Sequence, residues 1–196
     1  CFSRSIHPTS PEMKIESYTI LGIDPGTTVT GYGLVRISGS KPSILTMGVM
    51  QPGKFEDHYQ RLKFLHARAL LLIDEFKPDI MAIEAPFYGK NVQSMLKLGR
   101  AQGVIMAAGL YRSLPIFEYA PLLVKQSITG MGRASKEQVA TMLRTILSFH
   151  GEKMILDATD ALGAALCHFY QSNKPASGKS KSWEDFVKKN SGRVKG

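Results

Sequence analysis

Apolar positions in the first half of the chain fall into short runs bounded by turn residues. Ile20, Leu21 and Ile23 form a compact, β-branched run ending in Asp24 and a Pro25-Gly26 turn, the pattern of a buried strand. A second strand is predicted from Val29 to Ile37 and a third from Ser43 to Met50. Gly26, Gly31 and Gly33 are expected to let the second strand fold back tightly on the first. The period then changes: Leu62, Leu65, Ala69, Leu72, Ile73 and Phe76 recur at helical spacing, with Asp57 as cap and Pro78 as stop. Ile80 to Ile83 make another apolar run that, like the first, ends in a carboxylate, Glu84.

A long helix is predicted from Lys90 to Arg112, with Leu96, Gly99, Gly103, Ala107 and Leu110 sharing one face. Two glycines four apart permit close backbone approach, and packing on the sheet is the first expectation for this face. A second copy of the same face is the alternative. Pro115 to Tyr119 reads as a strand and Pro121 to Ser127 as a short helix. After a loop from Thr129 to Ala134, Ser135 caps a helix to about Leu147, and a last helix runs roughly from Asp157 to Tyr170. Three sequential strands, helix, strand, helix, strand and closing helices describe an α/β domain with a mixed sheet.

Length and charge narrow the class. The 196 residues suffice for one domain with a substantial core. A balance of 25 Lys and Arg against 16 Asp and Glu, net +9, favours a polyanionic partner, nucleic acid or an anionic membrane surface. Cys1 and Cys167 lie far apart with no metal-ligand spacing, which argues against a disulfide framework or zinc and for a reducing, cytosolic setting. No apolar run approaches membrane-spanning length, so export and membrane residence are disfavoured. Residues 1–16 are polar and irregular and begin with Cys, as a disordered leader or a fragment boundary would, leaving residues 17–172 for the folded domain. Residues 173–196 carry seven basic residues against Glu184 and Asp185 and read as a basic, flexible tail. Within it Trp183, Phe186 and Val187 have the spacing of a short docking helix, the alternative reading.

The candidate chemistry lies in four acids. Asp24 and Glu84 end two strands, and Asp157 and Asp160 lie three apart at a helix start, able to project from one face. Each has a plain structural alternative: Asp24 as a turn cap, Glu84 as a surface acid, Asp157 and Asp160 as complements of the helix dipole. Brought together without a cation they would repel one another, so the stable form of such a group surrounds hard divalent ions. All-oxygen ligands select Mg²⁺ or Mn²⁺ over zinc. Two such ions about 3.5 to 4 Å apart can activate water and stabilise the leaving oxygen in phosphodiester cleavage.

Several segments occur together in a recognisable order: Ile20-Leu21-Gly22-Ile23-Asp24-Pro25-Gly26-Thr27 with Thr30-Gly31-Tyr32-Gly33, then Ala82-Ile83-Glu84, then Lys90-Asn91 and Leu96-Lys97-Leu98-Gly99-Arg100-Ala101-Gln102-Gly103, then Val124-Lys125-Gln126, then Asp157-Ala158-Thr159-Asp160-Ala161-Leu162. From Ile20 to about His168 this resembles the RuvC crossover-junction endonucleases. The resemblance implies an RNase H-like fold with a central mixed five-stranded sheet flanked by helices. It implies a homodimer in the bacterial cytoplasm that resolves four-way DNA junctions in recombination and repair, by paired nicks leaving 5′-phosphate and 3′-hydroxyl ends. Mg²⁺ is the implied cofactor, two ions per site, with Mn²⁺ able to substitute; RuvA and RuvB are the implied partners. Asp24, Glu84, Asp157 and Asp160 match the four acidic catalytic positions. Lys125 and Lys136 match lysines at the DNA face, and Phe87 matches an aromatic at the junction, with a core phenylalanine as its alternative. Lys90, Arg100 and Arg133 are further candidates for phosphate contacts. Gly22 to Thr28 also resembles the phosphate-binding opening of actin-like sugar kinases, which need two such lobes where this chain holds one. A junction-binding module without catalysis should have lost an acid, and all four are present.

Overall fold

The computed structural model describes residues 17–86, 91–149 and 156–173. The expected leader, Phe87, Lys90 and the Trp183-bearing tail lie outside the described residues. Five strands form one sheet in the order β3-β2-β1-β4-β5. β1 (Ser17–Asp24), β2 (Thr30–Ser38) and β3 (Lys41–Met50) pair antiparallel, while β4 (Ile80–Glu84) and β5 (Ile116–Tyr119) join parallel to β1. The mixed sheet follows from the connections: short turns allow antiparallel neighbours, and helical crossovers return the chain for parallel ones. α1 (His58–Phe76) starts at Asp57, whose carboxylate accepts from the Gln60 N–H at 2.9 Å. It ends at Lys77, in the left-handed region at φ 45°, just before Pro78.

Alternation along the strands divides the core in two. Leu21, Ile23, Leu34, Met81 and Ile83 face α1 and α2 (Val92–Tyr111). Ile20, Val35, Ile37 and Ala82 face α3 (Pro121–Thr129), α4 (Lys136–Leu147) and α5 (Leu156–Ser172). Each fully buried Leu, Ile or Phe of these layers contributes about 1.5–3 kcal/mol relative to exposure, which fixes the strand register: a slip of one residue would exchange the two faces.

Two expectations are corrected. Leu96, Gly99, Gly103, Ala107 and Leu110 do not pack on the sheet; all five are exposed. The buried side of α2 is Ala101, Gln102, Ile105, Ala108 and Gly109, and an added Cβ on Gly109 would stand 3.0 Å from Met81. Both sides of the helix carry small residues, but only this one joins them to a β-branched side chain that fills the layer. Gly31 and Gly33, in turn, serve α5 rather than the turn. An added Cβ would overlap the Asp157 carbonyl oxygen at Gly31, the Ala161 carbonyl oxygen at Gly22 and the Leu162 side chain at Gly33. These glycines form a smooth track on which α5 lies against the sheet backbone.

Candidate active site

The sheet and this track bring the four acids to one place. In the parallel ladder Ile23 pairs with Ile83, so Asp24 and Glu84 follow side by side at the C-terminal ends of β1 and β4. They share the strand phase of Ile20 and Ala82, which directs them to the α5 side. Asp24 pairs with Gly31, and with no side chain at Gly31 the first turn of α5 descends beside Asp24. One carboxylate oxygen from each of Asp24, Asp157 and Asp160 then lies within 4.8 Å of the others. Glu84 stands outside that tight group but lines the same cleft as Asp24 and Asp160.

The electrostatics are those of gathered anions. Burial, followed by the charge of Asp160, pushes the Asp24 carboxyl up from 3.8 to about 7. Burial, then Asp24 and Asp160, pushes Glu84 up from 4.5 to about 8. Lys136 opposes this: its Nζ donates to Asp160 Oδ2 at 2.6 Å, and that bond raises the lysine further above its ordinary range. Lys136 is the first residue of α4, held there by a capping box in which Ser135 and Gln138 exchange side-chain and backbone bonds. A cation in the first turn of a helix is unfavourable to the dipole, so its place is explained by the acid opposite. Lys125, from α3, lines the cleft and lowers the Glu84 value by its charge.

The cleft, of about 530 Å³, is walled by Pro121, Leu122, Val124 and Val139 besides these charged groups. An all-carboxylate donor set that is strained as anions and flanked by two lysines suits a hard divalent cation next to a phosphate. Of the other candidates, Arg100 on α2 and Arg133 in the α3–α4 loop are exposed and do not line this cleft.

Residues 20–168 match the family described as crossover junction endodeoxyribonuclease RuvC. The chain belongs to this RuvC family. It is 55% identical over 184 residues to the crossover junction endodeoxyribonuclease RuvC of Bacteroides fragilis, covering 92% of this chain and 98% of that protein. The protein of the same name from Porphyromonas gingivalis is 55% identical over 192 residues, covering 95% and 100%. Thermus thermophilus RuvC in complex with a Holliday junction substrate superposes with a TM-score of 0.74 at 33% identity, over 79% of this chain and 94% of that one. The yeast mitochondrial resolvase Ydc2, at 14% identity and TM-score 0.57 over 78% and 80% of the two chains, shares the fold. The five-stranded mixed sheet is thus the RNase H-like architecture of the RuvC enzymes, as the sequence resemblance implied.

Sequence reasoning missed some of this RuvC site. The glycine track needed the identity of a helix some 130 residues away in the chain; only the glycine spacing in β1 and β2 hinted at it. The contact between Lys136 and Asp160 was likewise unreadable, although a lysine directly after an N-capping serine is an electrostatic anomaly and could have been noticed. Tyr119 and His168, on β5 and α5, place Oη and Nδ1 2.7 Å apart, and burial lowers the histidine below its ordinary range; nothing in the sequence pointed to this contact.

Proposed function

We propose that this RuvC-family chain is a Mg²⁺-dependent Holliday junction resolvase acting as a homodimer, with Asp24, Glu84, Asp157 and Asp160 as its metal ligands. The observation that carries the reading is the convergence of Asp24, Asp157 and Asp160 from β1 and α5, carboxylate oxygens within 4.8 Å, in a cleft with Glu84 and two lysines. These four acids would hold two Mg²⁺ ions, with Mn²⁺ as a substitute, and the chemistry such ions would supply is positive charge at the scissile phosphate and activation of a water. The acids' negative field, only partly offset by Lys136 and Lys125, would favour divalent charge. Lys125 and Lys136 bind the phosphate backbone at either side, Lys136 turning from Asp160 toward it. Phe87 stacks on bases opened at the crossover, and Lys90, Arg100 and Arg133 contact phosphates farther along the arms. The water oxygen bonds to phosphorus and gives up a proton to solvent while the bond from phosphorus to the 3′ oxygen breaks and that oxygen takes up a proton, leaving 5′-phosphate and 3′-hydroxyl ends.

Two-fold symmetry of the substrate gives dimerisation its purpose, since two sites about an axis cut opposing strands of like polarity. The exposed face of α2 fits that role: Val92, Leu96 and Leu110 are 68%, 51% and 64% exposed, and an added Cβ on Gly99 or Gly103 would meet nothing within 4 Å. In Leu96→Glu, a charge on this face is expected to give monomers in sedimentation at micromolar concentration and to replace paired nicks by single ones. A fully dimeric Leu96→Glu would remove α2 from the interface. RuvA and RuvB are the proposed cellular partners. The bacterial cytoplasm is the proposed location; among the described residues no helix is long and apolar enough to cross a membrane. Residues 17–172 form the proposed nuclease domain, between a leader and a basic tail.

The direct test incubates a labelled four-way junction and a linear duplex of the same sequence with the protein and Mg²⁺. Symmetric paired nicks in the junction alone are expected; equal cutting of both would overturn the junction-resolving reading. Metal binding must also displace protons from Asp24 and Glu84, which hold them up to about 7 and about 8. Mg²⁺ affinity, followed by calorimetry, should therefore rise by up to about tenfold per pH unit for each proton released, and level off above about pH 8. A pH-independent affinity between 6 and 8 would place the ion elsewhere.

A further inference from the structure

The loop between β1 and β2, residues 25–29, directly follows Asp24 and has no regular structure of its own. Its conformation is pinned at three successive residues. Within the hairpin, the buried Thr30 hydroxyl donates to the Gly26 carbonyl at 2.8 Å and accepts from the Gly26 N–H at 3.0 Å. From outside, the Gly53 N–H donates to the Thr28 carbonyl at 2.9 Å. Arg61 supplies the third pin, its Nη1 donating to the Thr27 carbonyl at 3.2 Å while its Nε donates to the Phe55 carbonyl at 2.6 Å.

Local preferences do not explain Arg61. It is the fourth residue of α1, where a cation gains nothing from the helix dipole, and the acid nearest in sequence, the N-cap Asp57, uses its carboxylate on the Gln60 N–H. Its side chain instead ties two irregular segments to the helix. The segment it uses as a base is itself stiff: Pro52 is buried, the Phe55 and Phe64 rings are 5.3 Å apart, and Lys54 Nζ sits 4.7 Å from the Phe64 ring centre. Residues that break a local rule while bracing the neighbour of a functional group are where positioning roles are found.

We propose that Arg61 is a positioning residue for the active site, fixing the loop after Asp24 so that the Asp24 carboxylate stays beside Asp157 and Asp160. This rests on the reading of those acids as metal ligands. Arg61 acts through geometry: its guanidinium bonds the Thr27 and Phe55 carbonyls. A planar guanidinium can bond two separate carbonyls in a fixed geometry, whereas an ammonium on a flexible stem cannot reproduce it. Arg61→Lys therefore keeps the charge and loses the brace. Gly53→Ala disturbs the neighbouring pin by a different route, since an added Cβ would lie 2.7 Å from Thr28 Cγ2 and 2.9 Å from the Thr28 carbonyl oxygen.

The experiment titrates Mn²⁺ into wild type, Arg61→Lys, Gly53→Ala and Asp24→Asn by calorimetry without DNA. Melting temperature, junction affinity in Ca²⁺ and the half-saturating Mg²⁺ for single-turnover cleavage are measured alongside. Groups that orient metal ligands cost 10- to 100-fold in metal affinity when changed. Arg61→Lys and Gly53→Ala are accordingly expected to lose about tenfold in Mn²⁺ affinity, with an equal rise in the Mg²⁺ requirement. Junction affinity should stay within about twofold and melting within about 3 °C, which a merely structural arginine would not combine with a changed metal requirement. Wild-type Mn²⁺ affinity in both variants, with binding lost in Asp24→Asn, would overturn the role of Arg61 alone. Wild-type affinity in Asp24→Asn would overturn the metal reading together with it.

Discussion

Asp24→Asn is expected to slow junction cleavage by about 10³-fold or more, about 4 kcal/mol of transition-state stabilisation, while junction affinity in Ca²⁺ stays within about twofold. The amide keeps the size and one acceptor oxygen but removes a charge from the carboxylate group with Asp157 and Asp160, whose oxygens are close enough together to hold a metal ion. The same substitution should stabilise the metal-free protein. The Asp24 carboxyl titrates near 3.8 when unfolded and near 7 when folded. Its folded form holds a proton that the unfolded chain releases, so stability is full below about pH 4 and falls until the pH passes about 7. The melting temperature of Asp24→Asn should thus pull ahead of wild type across that window, reaching about 3 °C or more at pH 8. Added Mg²⁺ should close the gap by stabilising wild type only. Equal cleavage by the two proteins would remove Asp24 from the chemistry, and equal melting at every pH would remove it from the cluster of charges.

Gly31→Ala is the second large effect. Its Cβ would overlap the Asp157 carbonyl oxygen, a backbone atom of α5 that no side-chain rotation can move aside. Overpacking against backbone costs about 1–3 kcal/mol, occasionally more, and here the only relief is to lift α5 off the sheet. Asp157 and Asp160 move with the helix, so cleavage should fall at least about 10²-fold even where the protein remains folded. Measured by thermal melting and single-turnover cleavage, Gly31→Ala with wild-type values in both would mean that α5 does not rest on the β2 backbone.

Much of this architecture was legible because local and long-range signals agree. The strands ending in Asp24 and Glu84 carry apolar runs flanked by turn residues, and the caps at Asp57 and Ser135 form as their side chains predict. The four acids were readable as a group only because three elements carry them in a basic chain and the family resemblance matches all four, each alone having an ordinary structural use. What could not be read is which face of an element meets which neighbour. Gly99 and Gly103 looked like a packing face, but Ala101, Ala108 and Gly109 are equally small and sit beside Ile105, which fills the core. Gly31 and Gly33 look like turn residues until α5 is placed over them, with Gly22 beside them on the same track. Arg61 and Lys136, both cations in a first helical turn, make sense only once Thr27, Phe55 and Asp160 are set around them. Tertiary partners, absent from any local window, decide each of these cases.

The central claim is that carboxylates from β1, β4 and α5 hold divalent metal at one end of the sheet. Anomalous diffraction from crystals soaked in Mn²⁺ measures this directly. Strong peaks within about 2.5 Å of oxygens from Asp24 and from Asp157 or Asp160, absent from Asp24→Asn crystals soaked alike, are the predicted result. Saturating Mn²⁺ with no peak among these acids would contradict the account.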